Sequence, residues 1–277
     1  MIRKIHHVGI VVEDLERAYG FYRDVLGLCV AKEDTVPDQG VRAALMPVGH
    51  SEIELLQPIT EGTGIQKFLA SRGEGMHHLC FETDGIDREL DELKAKGAPL
   101  IDERPRPGLA GMIAFLHPKC THRTLVELAE PPESHEGGHK VHGELRAKEL
   151  DHVALAVPDL DAAVADYGTL FGLQSGGTLE SAEMGLRAVM LPVGSSFVEL
   201  LTATTPDSPL AQRIATIGGG GMLTLALEVE NLDDAISWLR SKACAVSDAS
   251  PGPIPNTRIA RAEPSSTHGV PLQLIQR

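Results

Sequence analysis

The sequence predicts an α+β protein built from four copies of one βαβββ module, arranged as two tandem halves. Three observations predict it. A phrase that reads as strand then helix occurs four times: IHHVGIVVEDLERA from Ile5, MHHLCFETDGIDREL from Met76, LDHVALAVPDLDAA from Leu150 and MLTLALEVENLDDA from Met222. A second phrase follows each at a similar distance, as SEIELLQP, RTLVELAEP, SSFVELLTA and GVPLQLIQR. A longer copy overlies both, since His7 and Glu54 recur as His152 and Glu199 at one constant offset and VRAALMPVG returns as LRAVMLPVG. Self-similarity at a fixed period marks a duplicated structural unit, and strands mixed with helices inside each unit give an α+β class.

Each element follows from its local pattern. Alternating apolar residues in the first phrase mark a half-buried strand. Asp14 then opens a helix whose Leu15, Ala18, Tyr19, Tyr22, Val25 and Leu26 fall on one face, with Gly27 placed to cap its end. Short strands punctuated by Gly and Pro, VRAALMPVG and EIELLQP, complete the first module. In the second, Ile86, Leu90 and Leu93 form the apolar stripe of a helix that stops at Gly97. The later modules repeat the scheme. Residues 129–149, AEPPESHEGGHKVHGELRAKE, are rich in Pro, Gly and charge and carry almost no apolar period, so this stretch reads as an interdomain connection. The domains expected are therefore 1–131 and 150–277, joined by a linker at 132–149, whose His135, His139 and His142 read as solvated side chains.

Composition narrows the function. The chain has 277 residues, 42% hydrophobic and 23% charged, which is the balance of a globular protein long enough for about two domains. A net charge of −14 argues against nucleic acid or an anionic membrane as the main partner. It leaves room for a small anion, because a local cation or bound metal outweighs the global sign at short range. No run of 18 or more apolar residues is present, so no membrane-spanning helix is expected. Cys29, Cys80, Cys120 and Cys244 show no CxxC spacing and read as thiols of a reducing compartment. With the first strand pattern beginning at Ile5, a cytoplasmic protein is expected.

The repeated His and Glu carry the chemistry. His7 and His78 sit on the first strands of modules one and two, and Glu54 and Glu127 on their last strands. A lone strand histidine is usually a hydrogen-bonded core or edge residue, and a lone strand glutamate often faces solvent. Here both glutamates lie among apolar neighbours, Glu54 beside Ile53, Leu55 and Leu56, and Glu127 beside Val126 and Leu128, where an inward carboxylate requires compensation. Two such pairs around one pseudo-twofold axis suit one six-coordinate divalent ion, Co²⁺, Ni²⁺, Mn²⁺, Mg²⁺ or Zn²⁺; closed structural zinc sites favour tetrahedral Cys and His instead. Because the third module reads Asp151-His152, the second histidine of each pair is taken as the ligand, with His6 and His77 facing away. The C-terminal half keeps His152 and Glu199 but has Thr224 and Gln273 at the other two positions, so a degenerate copy without a tight metal site is expected there.

The paired βαβββ units and this His/Glu set resemble the vicinal oxygen chelate superfamily over the whole chain. Residues 4–131 further resemble methylmalonyl-CoA epimerases, through HHVGIVVEDLERAYGFYRDVLGL, DQGVRAALMPVGHSEIELLQP, IQKFLASRGEGMHHLCFETDGI and IDERPRPGLAGMIAFLHPKCTHRTLVELAE. The resemblance implies two tandem vicinal-oxygen-chelate domains and a metal held by His7, Glu54, His78 and Glu127. It implies an isomerase that removes and returns the α-proton of a 2-substituted malonyl-CoA through an enolate stabilised by the ion. Glu127 matches a carboxylate proposed both to ligate and to exchange protons, Gln39 matches a substrate-side position, and Arg106, Lys119 and Arg123 are the basic residues available to meet CoA phosphates. Two departures stand out: Ala43 occupies the place of a second base, and CTHRT at 120–124 replaces a Ser-Thr-Gly-Gly-like turn. The partners implied are a small acyl thioester or other α-acidic carbonyl, with no nucleic acid and no membrane, and the class admits a homodimer. A glyoxalase I-like lyase would use the same four ligands. An extradiol or hydroxyphenylpyruvate-type dioxygenase would use two His and one carboxylate, usually in the C-terminal half.

Overall fold

The computed structural model describes residues 1–132, 145, 147–182 and 184–277; the histidines at 135, 139 and 142 lie outside the described residues. The first module is β1 (Ile2–Val11), α1 (Leu15–Tyr22), β2 (Lys32–Val36), β3 (Val41–Val48) and β4 (Ser51–Pro58). After α2 (Gly64–Arg72), the second is β5 (Gly75–Thr83), α3 (Ile86–Ala95), β6 (Arg106–Gly108), β7 (Gly111–Leu116) and β8 (Val126–Glu130). The third is β9 (Ala147–Ala156), α4 (Leu160–Phe171), β10 (Gly177–Ser181), β11 (Leu186–Val193) and β12 (Ser196–Ala203). Beyond α5 (Pro209–Thr216), the fourth is β13 (Gly221–Val229), α6 (Leu232–Ser241), β14 (Ser250–Pro251), β15 (Arg258–Ala262) and β16 (Leu272–Gln276). This is the expected α+β arrangement. No described helix is long and apolar enough to cross a membrane.

Two local differences have plain causes. α2 and α5 were not expected; both are short, and their apolar positions are only partly buried, Leu210 and Ile214 of α5 packing against a core cluster. They are started by caps: Thr63 accepts from the Gln66 N–H and Ser208 from the Ala211 N–H, with Pro209 at the first helical position. α1, opened by the Asp14 cap, ends at Tyr22 rather than at Leu26. Turns carry the chain on to Gly27, whose φ of 77° is left-handed and favours glycine.

Each half forms one eight-stranded sheet, ordered β2-β3-β4-β1-β5-β8-β7-β6 and β10-β11-β12-β9-β13-β16-β15-β14. The first and last strands of each module run parallel, as β1 with β4 and β5 with β8, and the remaining pairs within each module are antiparallel. One device locks the last strand to the helix. Gln57, Glu130 and Gln276, each three residues past a ligand-type position, accept from the first backbone N–H of α1, α3 and α6 (Leu15, Ile86 and Leu232). That satisfies an orphan helix donor and fixes the register of the strand that carries the functional side chain.

By packing, the chain divides into two compact units, one of Met1–Ile5, His78–Pro132 and His152–Leu223, the other chiefly of His6–His77 and Thr224–Arg277. Within the first, Phe81 and Tyr167 both pack on the Phe171 ring, at 5.2 and 5.5 Å between centroids. The Tyr167 hydroxyl donates to the Thr121 carbonyl, and the Arg123 guanidinium bonds the Gly218 carbonyl. Within the second, the Tyr22 hydroxyl donates to the Thr267 carbonyl at 3.3 Å, and Trp238 Nε1 to the Val25 carbonyl at 2.8 Å. Each unit thus uses a helix tyrosine to hold a Thr-His turn, in which His122 and His268 adopt left-handed φ values of 51° and 53°. That conformation is costly for a non-glycine residue; the threonine hydroxyl of each turn offsets it by bonding a carbonyl three residues on, Thr124 or Val270.

Candidate metal centre

His7, on β1, is fully buried, and Glu54, on the adjacent β4, is 6% exposed. The parallel register sets His7 opposite Glu52 and Gly9 opposite Glu54, and His7 Nε2 lies 3.4 Å from Glu54 Oε2. The second module repeats the geometry. His78 on β5 and Glu127 on β8 are 2% and 3% exposed, with Nε2 again 3.4 Å from Oε2. β1 and β5 are neighbours in the sheet, and ligand atoms of His7, Glu54 and His78 all fall within 4.8 Å of one another. Glu127 contacts His78 but is not itself one of these three residues.

The spacing suits shared ligation better than direct pairing. At 3.4 Å each His–Glu contact is longer than a good N–H···O bond, which runs about 2.7–3.2 Å. Neighbouring ligands on a six-coordinate ion with bonds of about 2.1 Å stand roughly 3 Å apart. Two carboxylates buried at the centre of apolar strands also call for a compensating cation. The donor set, two imidazoles and two carboxylates without thiolate, fits a divalent ion of the Mg²⁺-to-Zn²⁺ series. A second grouping, His6, His7 and Cys80, meets the same distance limit.

His6 does not face away as the strand alternation predicts. It is 7% exposed, and its Nδ1 lies 2.9 Å from His7 Nδ1. The reason is that Nδ1 sits close to the backbone, so rings on consecutive residues can meet at that atom. His77 is half-buried and packs edge-on against Phe68, 5.0 Å between centroids.

The structure adds Phe115 and Asp34, to which the sequence did not point, and places Arg106, read from the sequence as a candidate contact for CoA phosphates. Directly opposed residues of antiparallel strands share a face. Phe115 stands opposite Glu127, and Arg106 opposite Ile113, so Arg106, Ile113, Phe115 and Glu127 share one face. The Phe115 ring packs edge-on to His78 at 5.4 Å, and the Arg106 guanidinium lies 5.6 Å from the centre of the same ring, bonded to Asp102 at 3.2 Å. In the first module Leu45 opposes Glu54, Ala43 opposes Leu56 and Asp34 opposes Ala43. Asp34 therefore shares the Glu54 face at the position Arg106 holds in the second module. Glu33 and Arg42 take the other face, where Arg42 bonds Glu33 and Glu16 of α1. The signal available in the sequence was alternation, Ile113 with Phe115 and Ala43 with Leu45, but the cross-strand partners need the register.

Gln39 ends a 3-10 turn between β2 and β3 and is half-buried; Lys119 is exposed in the turn after β7. Both lie outside the clustered ligand atoms. In the C-terminal half the architecture persists while the donors change. His152 Nε2 is 3.6 Å from Glu199 Oε2, and Thr224 and Gln273 are buried at 8% and 7% exposure. Gln273 opposes Ala226 as Glu127 opposes Cys80. Among the described residues, groupings of three or more potential ligand atoms occur only in the N-terminal half.

Comparison with known proteins agrees with this duplication. The chain is 37% identical over 129 residues to the mitochondrial methylmalonyl-CoA epimerase of Mus musculus, covering 46% of this chain and 72% of that protein. It is 39% identical over 133 residues to the ethylmalonyl-CoA/methylmalonyl-CoA epimerase of Cereibacter sphaeroides, covering 47% of this chain and 99% of that one. A mutant 4-hydroxymandelate synthase from Streptomyces coelicolor matches the fold along the full chain, with a TM-score of 0.72 at 18% identity and 93% of that chain covered. The family model described as glyoxalase/bleomycin resistance protein/dioxygenase superfamily matches residues 6–115 and again 151–260. With one match to each half and one sheet in each, the chain belongs to the glyoxalase/bleomycin resistance protein/dioxygenase superfamily.

Proposed function

We propose that the protein is a divalent-metal-dependent epimerase acting on a 2-substituted malonyl-CoA, with domains at 1–131 and 150–277. The observation that carries this reading is the pair of buried His–Glu contacts at matching registers, His7–Glu54 and His78–Glu127, in the half that resembles methylmalonyl-CoA epimerases. His7, Glu54, His78 and Glu127 would hold the ion. When bound, it supplies Lewis-acid stabilisation of the negative charge that develops on the thioester oxygen as the α-proton leaves.

The remaining tasks fall to side chains. Glu127 is assigned proton transfer at one face of the α-carbon. Inversion needs a second group on the other face. Ala43 cannot serve, and Asp34, opposite it on the Glu54 face, is assigned that role. Phe115 shields His78 from water, and Arg106 offers guanidinium donors to an anionic group of the thioester. Gln39 and Lys119 are assigned to the outer substrate contacts.

The test is to load the protein with Co²⁺ and supply one diastereomer of methylmalonyl-CoA, following interconversion by chiral separation of the acyl group. The hemithioacetal of methylglyoxal and glutathione is offered in parallel. Conversion to an equal mixture of diastereomers supports the epimerase. Product from the glutathione adduct alone would move the assignment to a lactoylglutathione lyase-type reaction, which uses the same ligand set.

A further inference from the structure

We infer that His6 is a positioning residue for the metal ligand His7, fixing which ring nitrogen of His7 faces the ion. This rests on the metal reading above. His6 Nδ1 and His7 Nδ1 are 2.9 Å apart, and the rings meet edge to face, 5.1 Å between centroids at 84°. Both residues are buried. At that separation the two nitrogens share one proton, so one donates and the other accepts.

The other end of the His7 ring decides the direction. His7 Nε2 is the atom 3.4 Å from Glu54 Oε2, so Nε2 is the lone pair presented to a cation. A neutral imidazole carries a single N–H. With Nε2 committed to the ion, the proton resides on His7 Nδ1 and is donated to His6 Nδ1. His6 is thereby the acceptor that selects the ligating tautomer, the role usually filled by a carboxylate or carbonyl outside a metal's ligand set. Glu52 stands behind it, its Oε2 3.8 Å from His6 Nδ1, on the β4 position opposite His7.

The equivalent positions in the other modules show that this is a specific arrangement rather than a habit of the fold. His77 lays its ring against Phe68. Asp151 binds the Arg277 guanidinium with both carboxylate oxygens, at 2.7 and 3.1 Å. Leu223 is a buried apolar residue. The His–His contact therefore belongs to the module that carries His7, in the half that carries the full ligand set.

The test measures the ion, not turnover. Co²⁺ affinity, by competition with a chelator, and the His7 tautomer, by long-range ¹H–¹⁵N correlation of the Zn²⁺-loaded protein, are compared for wild type, His6→Phe, His6→Asn, His6→Gln and His77→Phe. His6→Phe keeps a ring and removes the acceptor. Asn places an amide oxygen close to where Nδ1 lies, and Gln places it farther out. The expected result is a loss of about ten- to a hundredfold in Co²⁺ affinity for His6→Phe, with a mixed His7 tautomer. Asn should restore much of the affinity, Gln should not, and His77→Phe should leave it unchanged. Wild-type affinity and an unchanged tautomer in His6→Phe would overturn the positioning role while leaving the metal site standing, provided His7→Ala loses the ion. If wild type binds no ion, or His7→Ala binds it normally, the metal reading fails and the inference with it. A Co²⁺–thiolate charge-transfer band that disappears in Cys80→Ser would place the ion on His6, His7 and Cys80 and overturn the inference directly.

Discussion

Glu54 and Glu127 show how much a single side chain can imply. Each is a carboxylate at 3–6% exposure in a strand whose neighbours are aliphatic, and each meets a buried imidazole at the same distance. The sequence singles out His7, His78 and these two glutamates because the phrases that hold them repeat, so chance could be judged against a second copy. It does not single out Asp34 or Phe115, and Arg106 was legible only as a basic residue, not as a neighbour of the Phe115 ring. Their relation to the centre depends on which residue opposes which across two strands, and one residue of slip would turn each to the other face. His6 was misread for a related reason: alternation describes where Cβ points and says little about where a ring nitrogen ends. At this scale the account makes a separable prediction for the second proton-transfer group. Asp34→Asn should abolish interconversion of the diastereomers, yet one diastereomer should still exchange its α-proton with solvent through Glu127. Loss of exchange from both diastereomers alike, or of neither activity, would remove Asp34 from the assignment.

Among the elements, helices that bury a face were legible and those that do not were missed. α3 follows its Ile86, Leu90 and Leu93 stripe, all at most 1% exposed. α2 and α5 only partly bury their apolar positions, such as Phe68, Leu210 and Ile214, so their clearest sequence signal is the cap, two or three residues long. Two glycines test this level of the account in opposite directions. Gly20 lies inside α1 with nothing within 4 Å of an added Cβ. Gly20→Ala should therefore stabilise the protein by about 1 kcal/mol, the usual difference in helix propensity. Gly269 follows the His268 turn at φ 74°, and an added Cβ would stand 1.9 Å from the Glu74 carbonyl oxygen. Gly269→Ala should cost roughly 2–4 kcal/mol, combining backbone strain with a clash against main chain. Thermal or urea unfolding of both variants checks the pair; equal effects would show that the Gly269 turn does not bear on the packing of its unit.

For the whole molecule, duplication has preserved architecture more strictly than chemistry. Both halves keep the same strand order and the same parallel pairing, because those follow from hydrophobic alternation and helix capping, which many sequences satisfy. The metal set depends on four side chains, and the C-terminal half has Thr224 and Gln273 in two of the four places. The chain is therefore expected to bind one divalent ion, not two. Metal analysis should give one equivalent in wild type, one in His152→Ala and none in His78→Ala. Since the ion binds only the folded protein, a chelator should lower the unfolding temperature of wild type and His152→Ala and leave that of His78→Ala unmoved, the difference amounting to about 2.7 kcal/mol when the ion is a hundredfold above its Kd.

The central claim is that this ligand set serves proton transfer next to a carbonyl. The most direct measurement is solvent-deuterium uptake at the α-carbon of methylmalonyl-CoA in D₂O, read by NMR for Co²⁺-loaded protein, for chelator-stripped protein and for Glu127→Gln. The account predicts uptake in the loaded protein, none in the stripped protein, and a fall of about a hundredfold or more in Glu127→Gln. A loaded protein that holds its ion and leaves the α-proton in place would contradict it.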